Sequence, residues 1–579
     1  MIGFLHKYGY YLAFLFLGIV LFIPFLGNFH LFDWDEVNFA ESSREMLVTG
    51  NFMQVQVNFE PFQEKPPLFF WTQSLSMKIF GVNEFAARLP NALIGILSML
   101  ILFSIGKKIR DVKLGIIWVL IYIGSFLPFL YFRSGIIDPL FNLFIFLGIF
   151  RLLILIGSVD PKHRNKNALF AGLFIGLAII TKGPVGLLLL LLTFLVYWVF
   201  EKFRKLISIK EILIFGAATF LVTSCWFGYE TYENGPWFLL EFIAYQIELF
   251  SQPVAGHEQP FFYHFLVILL GCFPMSIIAL PRFFKSNNEE YNNIEKWMKI
   301  LFWVVLILFT IVSTKIVHYS SMCYLPLSFL AALELYEWST SGTLKKWVLG
   351  TLAIMGMIFS FCLITVPLIL VNKEIWLIPY IDDLFALASL EVIVEWSRYE
   401  YLIGVFYAII VLLFIGFLYR RKIIVALFIL LVGLGSTMIL LSRYVVPKIE
   451  MYSQGSAIEF YDSIKDENKY VITVGYKSYA HYFYAQTQQL SSSDSLYHVK
   501  ERLYDEILEN NSVDRLDSKQ RKQFDHKILD WMMNGEIDKT VYFVSRIDRQ
   551  HQLEGHININ KLYNKGGFVF YSRTPHKKE

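Results

Sequence analysis

Residues 8–36 read YGYYLAFLFLGIVLFIPFLGNFHLFDWDE. The run from Tyr8 to Leu26 is apolar over roughly the 20 residues that a helix needs to cross a bilayer. It empties at once into Asp33-Trp34-Asp35-Glu36, three carboxylates just past the end of a span. Charge beside hydrocarbon is costly and is kept mostly for function. No small-residue cleavage site follows the run, so it reads as an anchor and not as a removed signal. With His6 and Lys7 ahead of it, the N-terminus is expected in the cytoplasm and the acidic cluster on the far side.

The rest of the chain extends this pattern. Its 579 residues are 56% hydrophobic and 17% charged, against about 25% charged in soluble proteins. That excludes an ordinary soluble enzyme and implies a multi-span α-helical membrane protein. The net charge of +3 gives no reason to expect nucleic acid. Runs at 8–27, 89–106, 114–131, 137–157, 168–181, 184–200, 209–228, 261–281, 298–313, 319–337, 347–370, 401–419 and 423–442 predict about 13 transmembrane helices. Threaded alternately, they collect Lys107, Lys108 and Arg110, the stretches 162–166, 202–210 and 282–299, Lys345 and Lys346, and Arg420 to Lys422 on one side. By the positive-inside rule that side is the cytoplasm, and an odd number of crossings puts the C-terminus outside. The pair 168–181 and 184–200, joined at Lys182-Gly183-Pro184, is short enough to be re-entrant, with parity unchanged. Cys225, Cys272, Cys323 and Cys362 lie in or beside apolar runs and form no disulfide framework or thiolate metal set; they read as small buried hydrophobes.

Residues 1–442 therefore read as a transmembrane catalytic unit, and 443–579, where hydropathy collapses, as a soluble α/β domain. In the latter, 470–475, 540–545 and 567–571 are expected strands, with 491–535 partly helical. The outer loop 28–88 carries two expected helices, Val37 to Thr49 ending at Gly50 and Leu68 to Phe80 ending at Gly81. Both are expected to lie on the membrane with aromatic faces such as Phe69, Phe70 and Trp71 towards lipid.

Four constellations could carry chemistry at the outer face. Asp35 stands at a helix start, where an Asp often caps and Glu36 complements the helix dipole; three carboxylates exceed that need, so Asp35 is a candidate general base with Glu36 beside it. In Glu64-Lys65-Pro66-Pro67 the prolines extend the chain, turning Glu64 and Lys65 apart. Lys65 suits a phosphate, or could snorkel to headgroups. Arg133 and Asp138 flank the junction of two spans, where they could pair with each other or share the Asp35 cavity. His257 closes the loop 229–260, where a solvated surface histidine is the commoner case. With Glu64 it offers only two protein ligands, fewer than the four of a structural zinc. Lys182 and Lys315, at outer span ends, could contact phosphate or serve as interfacial anchors.

In order, Asp35-Glu36 with Glu41, Arg44-Glu45-Met46, Glu64-Lys65-Pro66-Pro67-Leu68, Ala87-Arg88-Leu89-Pro90, Asp138-Pro139-Leu140, Lys182-Gly183-Pro184, His257 to Pro260 and Lys315 with Tyr324-Leu325-Pro326 resemble the GT-C membrane glycosyltransferases. They most resemble the ArnT-like aminoarabinose transferase and protein O-mannosyltransferase superfamily. The resemblance covers residues 1–340 by motif and implies a GT-C fold in the cytoplasmic (inner) membrane with a periplasmic active site and C-terminal domain. It implies transfer of a sugar, with inversion, from a polyprenyl-phosphate carrier to a lipid, glycan or protein acceptor of the envelope. By the same resemblance Asp35 is the principal catalytic carboxylate, with Asp138 and Glu36 also at the active cavity. Lys65 would bind the carrier phosphate, with Arg133, Lys182 and Lys315 as further substrate contacts. Glu64 and His257 would hold a divalent metal such as zinc; no nucleotide cofactor is expected. Asn38 departs from the pattern, which has an arginine soon after the acidic pair, and this puts one phosphate contact in doubt. The alternative reading is a lipid or sugar-lipid flippase or transporter, which would be expected to carry charges mid-span; here the charges gather at one face.

Overall fold

The computed structural model describes residues 2–62, 64–251, 259–285, 292–340, 345–508 and 518–575. Each expected run is helical over most of its described length, beginning with Ile2–Phe22, Glu84–Ile109 and Asp138–Gly157. Among the described residues, six helices are long and apolar enough to cross a membrane, or seven if one bent pair is a single span. The protein is thus a multi-span helical membrane protein. Burial separates two kinds of helix. The apolar window of Glu84–Ile109 is 72% buried, whereas those of Ile209–Asn234 and Lys346–Val371 are only 17% buried. The first is packed in the bundle; the others turn leucine, isoleucine and phenylalanine outward, as lipid-facing surface requires.

Two expected spans are broken. The run 114–131 splits into Val112–Ile123 and Phe126–Tyr131 at Gly124-Ser125. The run 261–281 splits into Tyr263–Gly271 and Met275–Phe283, which meet at 114°. Pro274 lies at that break, where it has no N–H to give and disfavours helix in the residue before it. The run 319–337 is also composite: a 3-10 helix, Val317–Cys323, precedes the α-helix Tyr324–Thr340.

The outer loop contains the helix Asp35–Thr49, a small hairpin of β1 (Gln56–Val57) and β2 (Glu60–Pro61), and the helix Leu68–Phe80. Gly50, at φ 70°, ends the first helix, a left-handed conformation that glycine adopts without strain. The expectation that Phe69 and Phe70 face lipid is overturned. Residues 36–46 are all buried, and Phe69 and Phe70 are fully inaccessible, packed edge-on against Phe39 at 6.3 and 5.7 Å between ring centroids. These aromatic rings meet protein, while Leu75, Ile79 and Phe80 of the second helix stay exposed.

Beyond the last long helix, Ile423–Tyr444, the chain forms a four-stranded sheet of β3 (Lys469–Val474), β4 (Thr540–Arg546), β5 (Asn560–Lys565) and β6 (Phe568–Arg573), in the order β3-β4-β6-β5. Only the β3–β4 pair is parallel. Alternate residues serve opposite faces. Val541, Phe543, Val569 and Tyr571 pack with the helices Ser495–Leu508 and Ser518–Asn534. Val544, Phe568 and Phe570 join a cluster containing Leu31, Val37, Ala40 and Ala87 of the outer-loop region. One face of the sheet therefore completes the core around the acidic loop. All four cysteines are free; Cys272 and Cys323 are buried as expected, but Cys225 and Cys362 are exposed.

Candidate active site

The two neighbouring carboxylates of the outer loop have opposite fates. Glu36 is 2% exposed and takes four hydrogen bonds. The Arg88 guanidinium donates to both its oxygens at 2.8 and 2.9 Å, and the backbone N–H groups of Phe32 and Gly135 donate at 2.8 and 2.6 Å. Arg88 spends its other donors on the carbonyls of Leu26, Phe29 and His30, so all five of its N–H groups are engaged. A side chain at Gly135 would come within 3.2 Å of Glu36 Cγ and 3.1 Å of the Ala87 carbonyl, so the approach is close. Glu36, expected among the catalytic residues, is instead the knot that folds the loop; its lone pairs are filled and turned inward.

Asp35 is left free by the same knot. The helix starts at Asp35 itself, after Trp34, with no side-chain cap, so the capping role does not apply. Its side chain is 36% exposed, and its Oδ2 lies 3.1 Å from Nε2 of His318. The same nitrogen is 3.9 Å from Oδ2 of Asp138, whose other oxygen receives Lys182 Nζ at 2.7 Å. Asp35, Asp138 and Lys182, far apart in sequence, thus meet around one imidazole.

Behind them is a cavity of about 210 Å³. Its polar end holds Lys65, Asp138, Asn142, Lys182, Gln246 and Tyr319; its walls are Val185, Leu188, Leu189, Leu308, Phe309, Val312 and Met322. Helical spacing explains the lining: Asp138, Phe141 and Asn142, and likewise Val185, Leu188 and Leu189, stand three and four residues apart and share a face. Two ammonium groups at the head of an apolar trough suit an anionic head on a hydrocarbon chain. Lys65 Nζ lies 3.9 Å from Glu64 and 5.7 Å from the Tyr245 ring centre. The expectation that Glu64 and Lys65 turn fully apart therefore fails. Burial, with the Glu64 carboxylate beside it, raises the Tyr245 phenol above its ordinary value and keeps it protonated.

Other expected contacts lie elsewhere. Arg133 is buried and donates to the carbonyls of Leu21, Phe22 and Pro24 at 3.0, 3.2 and 2.9 Å. It satisfies the orphan carbonyls at the end of the first helix and does not reach the cavity. Lys315 is buried and turns back to the Val312 carbonyl at 3.1 Å; it is absent from the lining. His257 lies outside the described residues, so of the expected metal pair only Glu64 is in view. Among the described residues no three His, Cys, Asp or Glu side chains converge as ligands. One carboxylate with a lysine beside it does not by itself fit a divalent ion.

The structure adds His318, Tyr319, Ser321 and Asn142, which no sequence motif marks. In the 3-10 helix Val317–Cys323, residues three apart eclipse. His318 and Ser321 both face Asp138, the Ser321 hydroxyl at 3.5 Å, while Tyr319 and Met322 both line the cavity. Asn142, one turn beyond Asp138 and donating to Ser321 at 2.8 Å, could have been found from its i+4 spacing.

Comparison with known proteins finds the same resemblance as the motifs. The family model described as dolichyl-phosphate-mannose-protein mannosyltransferase matches residues 64–229. An undecaprenyl phosphate-alpha-4-amino-4-deoxy-L-arabinose arabinosyl transferase of Photorhabdus laumondii is 25% identical over 375 residues, 64% of this chain and 66% of that protein. Its counterpart in Enterobacter sp. is 28% identical over 307 residues, 52% and 54% of the two chains. The matched region thus spans somewhat less than two thirds of these relatives. The crystal structure of ArnT from Cupriavidus metallidurans bound to undecaprenyl phosphate superposes with a TM-score of 0.73 over 98% of both chains at 16% identity, and its apo form with 0.74. The fold is that of ArnT, and the chain resembles the ArnT-like GT-C proteins in motif order as well as in fold.

Proposed function

We propose that this chain is a glycosyltransferase that moves a sugar, with inversion, from a polyprenyl-phosphate carrier to an envelope acceptor. The observation that carries the reading is the cavity: Lys65 and Lys182 at the head of an apolar trough, with the partly exposed Asp35 carboxylate joined to it through His318. A phosphate held between two ammonium groups is a good leaving group. Charge-assisted contacts stabilise the negative charge that develops on it as the sugar–oxygen bond breaks. Asp35 takes the proton of the attacking acceptor hydroxyl, and the apolar walls exclude competing water. The names of the relatives make undecaprenyl phosphate the carrier to test first and 4-amino-4-deoxy-L-arabinose the first sugar. Asn38, buried one turn from Asp35, marks where sugar or carrier handling would differ.

The same reading makes the chain an inner-membrane protein of about 13 crossings, with residues 1–442 as its membrane domain and 443–579 as a periplasmic α/β domain. The basic turns at the end opposite Asp35 support that orientation. A divalent metal at Glu64 and His257 is part of the proposal but enters no step above; metal analysis of purified protein tests it directly.

The decisive experiment supplies proteoliposomes with a panel of undecaprenyl-phosphate sugars and envelope extract, and reads transfer by mass spectrometry. Wild-type protein yields a glycosylated product and Asp35→Asn yields none, at equal expression. Undiminished transfer by Asp35→Asn refutes the assignment. The product's mass identifies the acceptor as lipid, glycan or protein.

A further inference from the structure

We propose that His318 is the positioning residue for Asp35, carrying its proton on Nε2 and fixing Oδ2 so that Oδ1 faces the acceptor hydroxyl. The inference rests on the glycosyltransferase reading and assigns a role that the expected motif residues leave open. Three observations meet in it. His318 is only 12% exposed, and its Nε2 is 3.1 Å from Asp35 but 3.9 Å from Asp138. Asp138 already has a cation, Lys182 at 2.7 Å, whereas His318 makes the one ion-pair contact of Asp35 among the described residues. And Asp35 needs an external restraint: it caps nothing, and its neighbour Glu36 is wholly committed to Arg88 and two backbone N–H groups. A carboxylate on the first turn of a helix, free to rotate, would present either oxygen or neither.

The step balances simply. The acceptor oxygen forms a bond to the anomeric carbon, and the bond from that carbon to the phosphate oxygen breaks with its electron pair going to phosphate. The hydroxyl proton passes to Oδ1 of Asp35. His318 takes no part in the bonds that change; it acts through Asp35. The 3-10 turn gives this role its geometry, because it sends His318 towards the carboxylates while Tyr319, the next residue, lines the donor cavity.

The test compares His318→Ala, His318→Gln and Asp35→Asn in the proteoliposome assay, with undecaprenyl phosphate binding measured on the same preparations. Glutamine keeps a donor near the position of Nε2; alanine does not. His318→Ala is expected to lose about 10²-fold in turnover, the scale of a small misplacement of a reacting group. Donor KM and undecaprenyl phosphate affinity should stay within about twofold, and His318→Gln should recover at least about tenfold of the loss. Glutamine no better than alanine, or carrier affinity falling in step with turnover, overturns the role in favour of packing or donor binding. An Asp35→Asn protein that loses transfer beside a fully active His318→Ala refutes the inference alone. Full transfer by Asp35→Asn removes the reading beneath it.

Discussion

Asp35 and Glu36 are adjacent carboxylates, and replacing each by its amide should separate turnover from stability. In Glu36→Gln the amide keeps one acceptor oxygen but turns an N–H₂ group towards donors it cannot satisfy, since all four partners of Glu36 are N–H groups. Arg88, fully buried, then keeps its charge without a counter-ion. Breaking a buried pair from one side costs about 3–5 kcal/mol, which predicts a fall in thermal midpoint of about 2–4 °C for a chain of this size. Asp35 makes no comparable contact, so Asp35→Asn should stay within about 0.5 kcal/mol of wild type while losing transfer. The assay is thermal unfolding in detergent, followed by fluorescence of the native tryptophans. Replacing both partners, Glu36→Leu with Arg88→Leu, should recover part of the loss. It cannot recover all, because the carbonyls of Leu26, Phe29 and His30 lose the donor they share. A Glu36→Gln midpoint within about 1 °C of wild type would falsify the claim that this pair holds the loop.

Three further outcomes are expected. Burial, and then the neighbouring Glu41 carboxylate, push Glu45 up to about 9. A folded-state value above the unfolded one means stability is fully present below about pH 4.5 and declines as pH rises towards 9; Glu45→Gln should flatten that decline in thermal midpoints, and parallel slopes would count against it. Lys65→Ala should weaken undecaprenyl phosphate binding about tenfold, the loss of one charge-assisted contact; unchanged affinity in a titration would remove Lys65 from the carrier site. Arg133→Met should cost about 1–3 kcal/mol through three unpaired carbonyls and leave carrier affinity intact; the reverse pattern would return Arg133 to the cavity.

The helices are legible in the sequence because an apolar run near 20 residues matches the thickness of hydrocarbon and suits little else. Their breaks are not legible. Hydropathy passes unchanged through Gly124-Ser125 and through Cys272-Phe273-Pro274, where backbone chemistry interrupts the helix. An apolar helical face also looks alike whether it meets lipid or protein, which is why Phe69 and Phe70 read as outward-facing. Asp35, Asp138, Lys65 and Lys182 stand out because charge at a span end is rare. The same signal misleads at Arg133, whose charge serves a helix terminus. His318 is hidden because 319–337 reads as one α-helix beginning just after it; only the 3-10 turn brings it to the carboxylates. Strand β5 is hidden because it is exposed along its whole length and so carries no alternation of apolar and polar residues.

The hydrogen bond from the Leu31 N–H to the Tyr484 hydroxyl, 2.7 Å long, joins residues 453 apart. Around it the Arg44 guanidinium reaches the Thr487 carbonyl, and Asp33 receives the Tyr479 N–H. During synthesis the acidic loop leaves the ribosome well before these partners, which are made hundreds of residues later. Until they are delivered, Leu31, Val37 and Ala40 lack the cover that Phe570 and its neighbours provide. A nascent chain therefore holds its carboxylates in an unfinished setting, and loss of residues beyond 484 should inactivate a protein whose membrane helices insert normally.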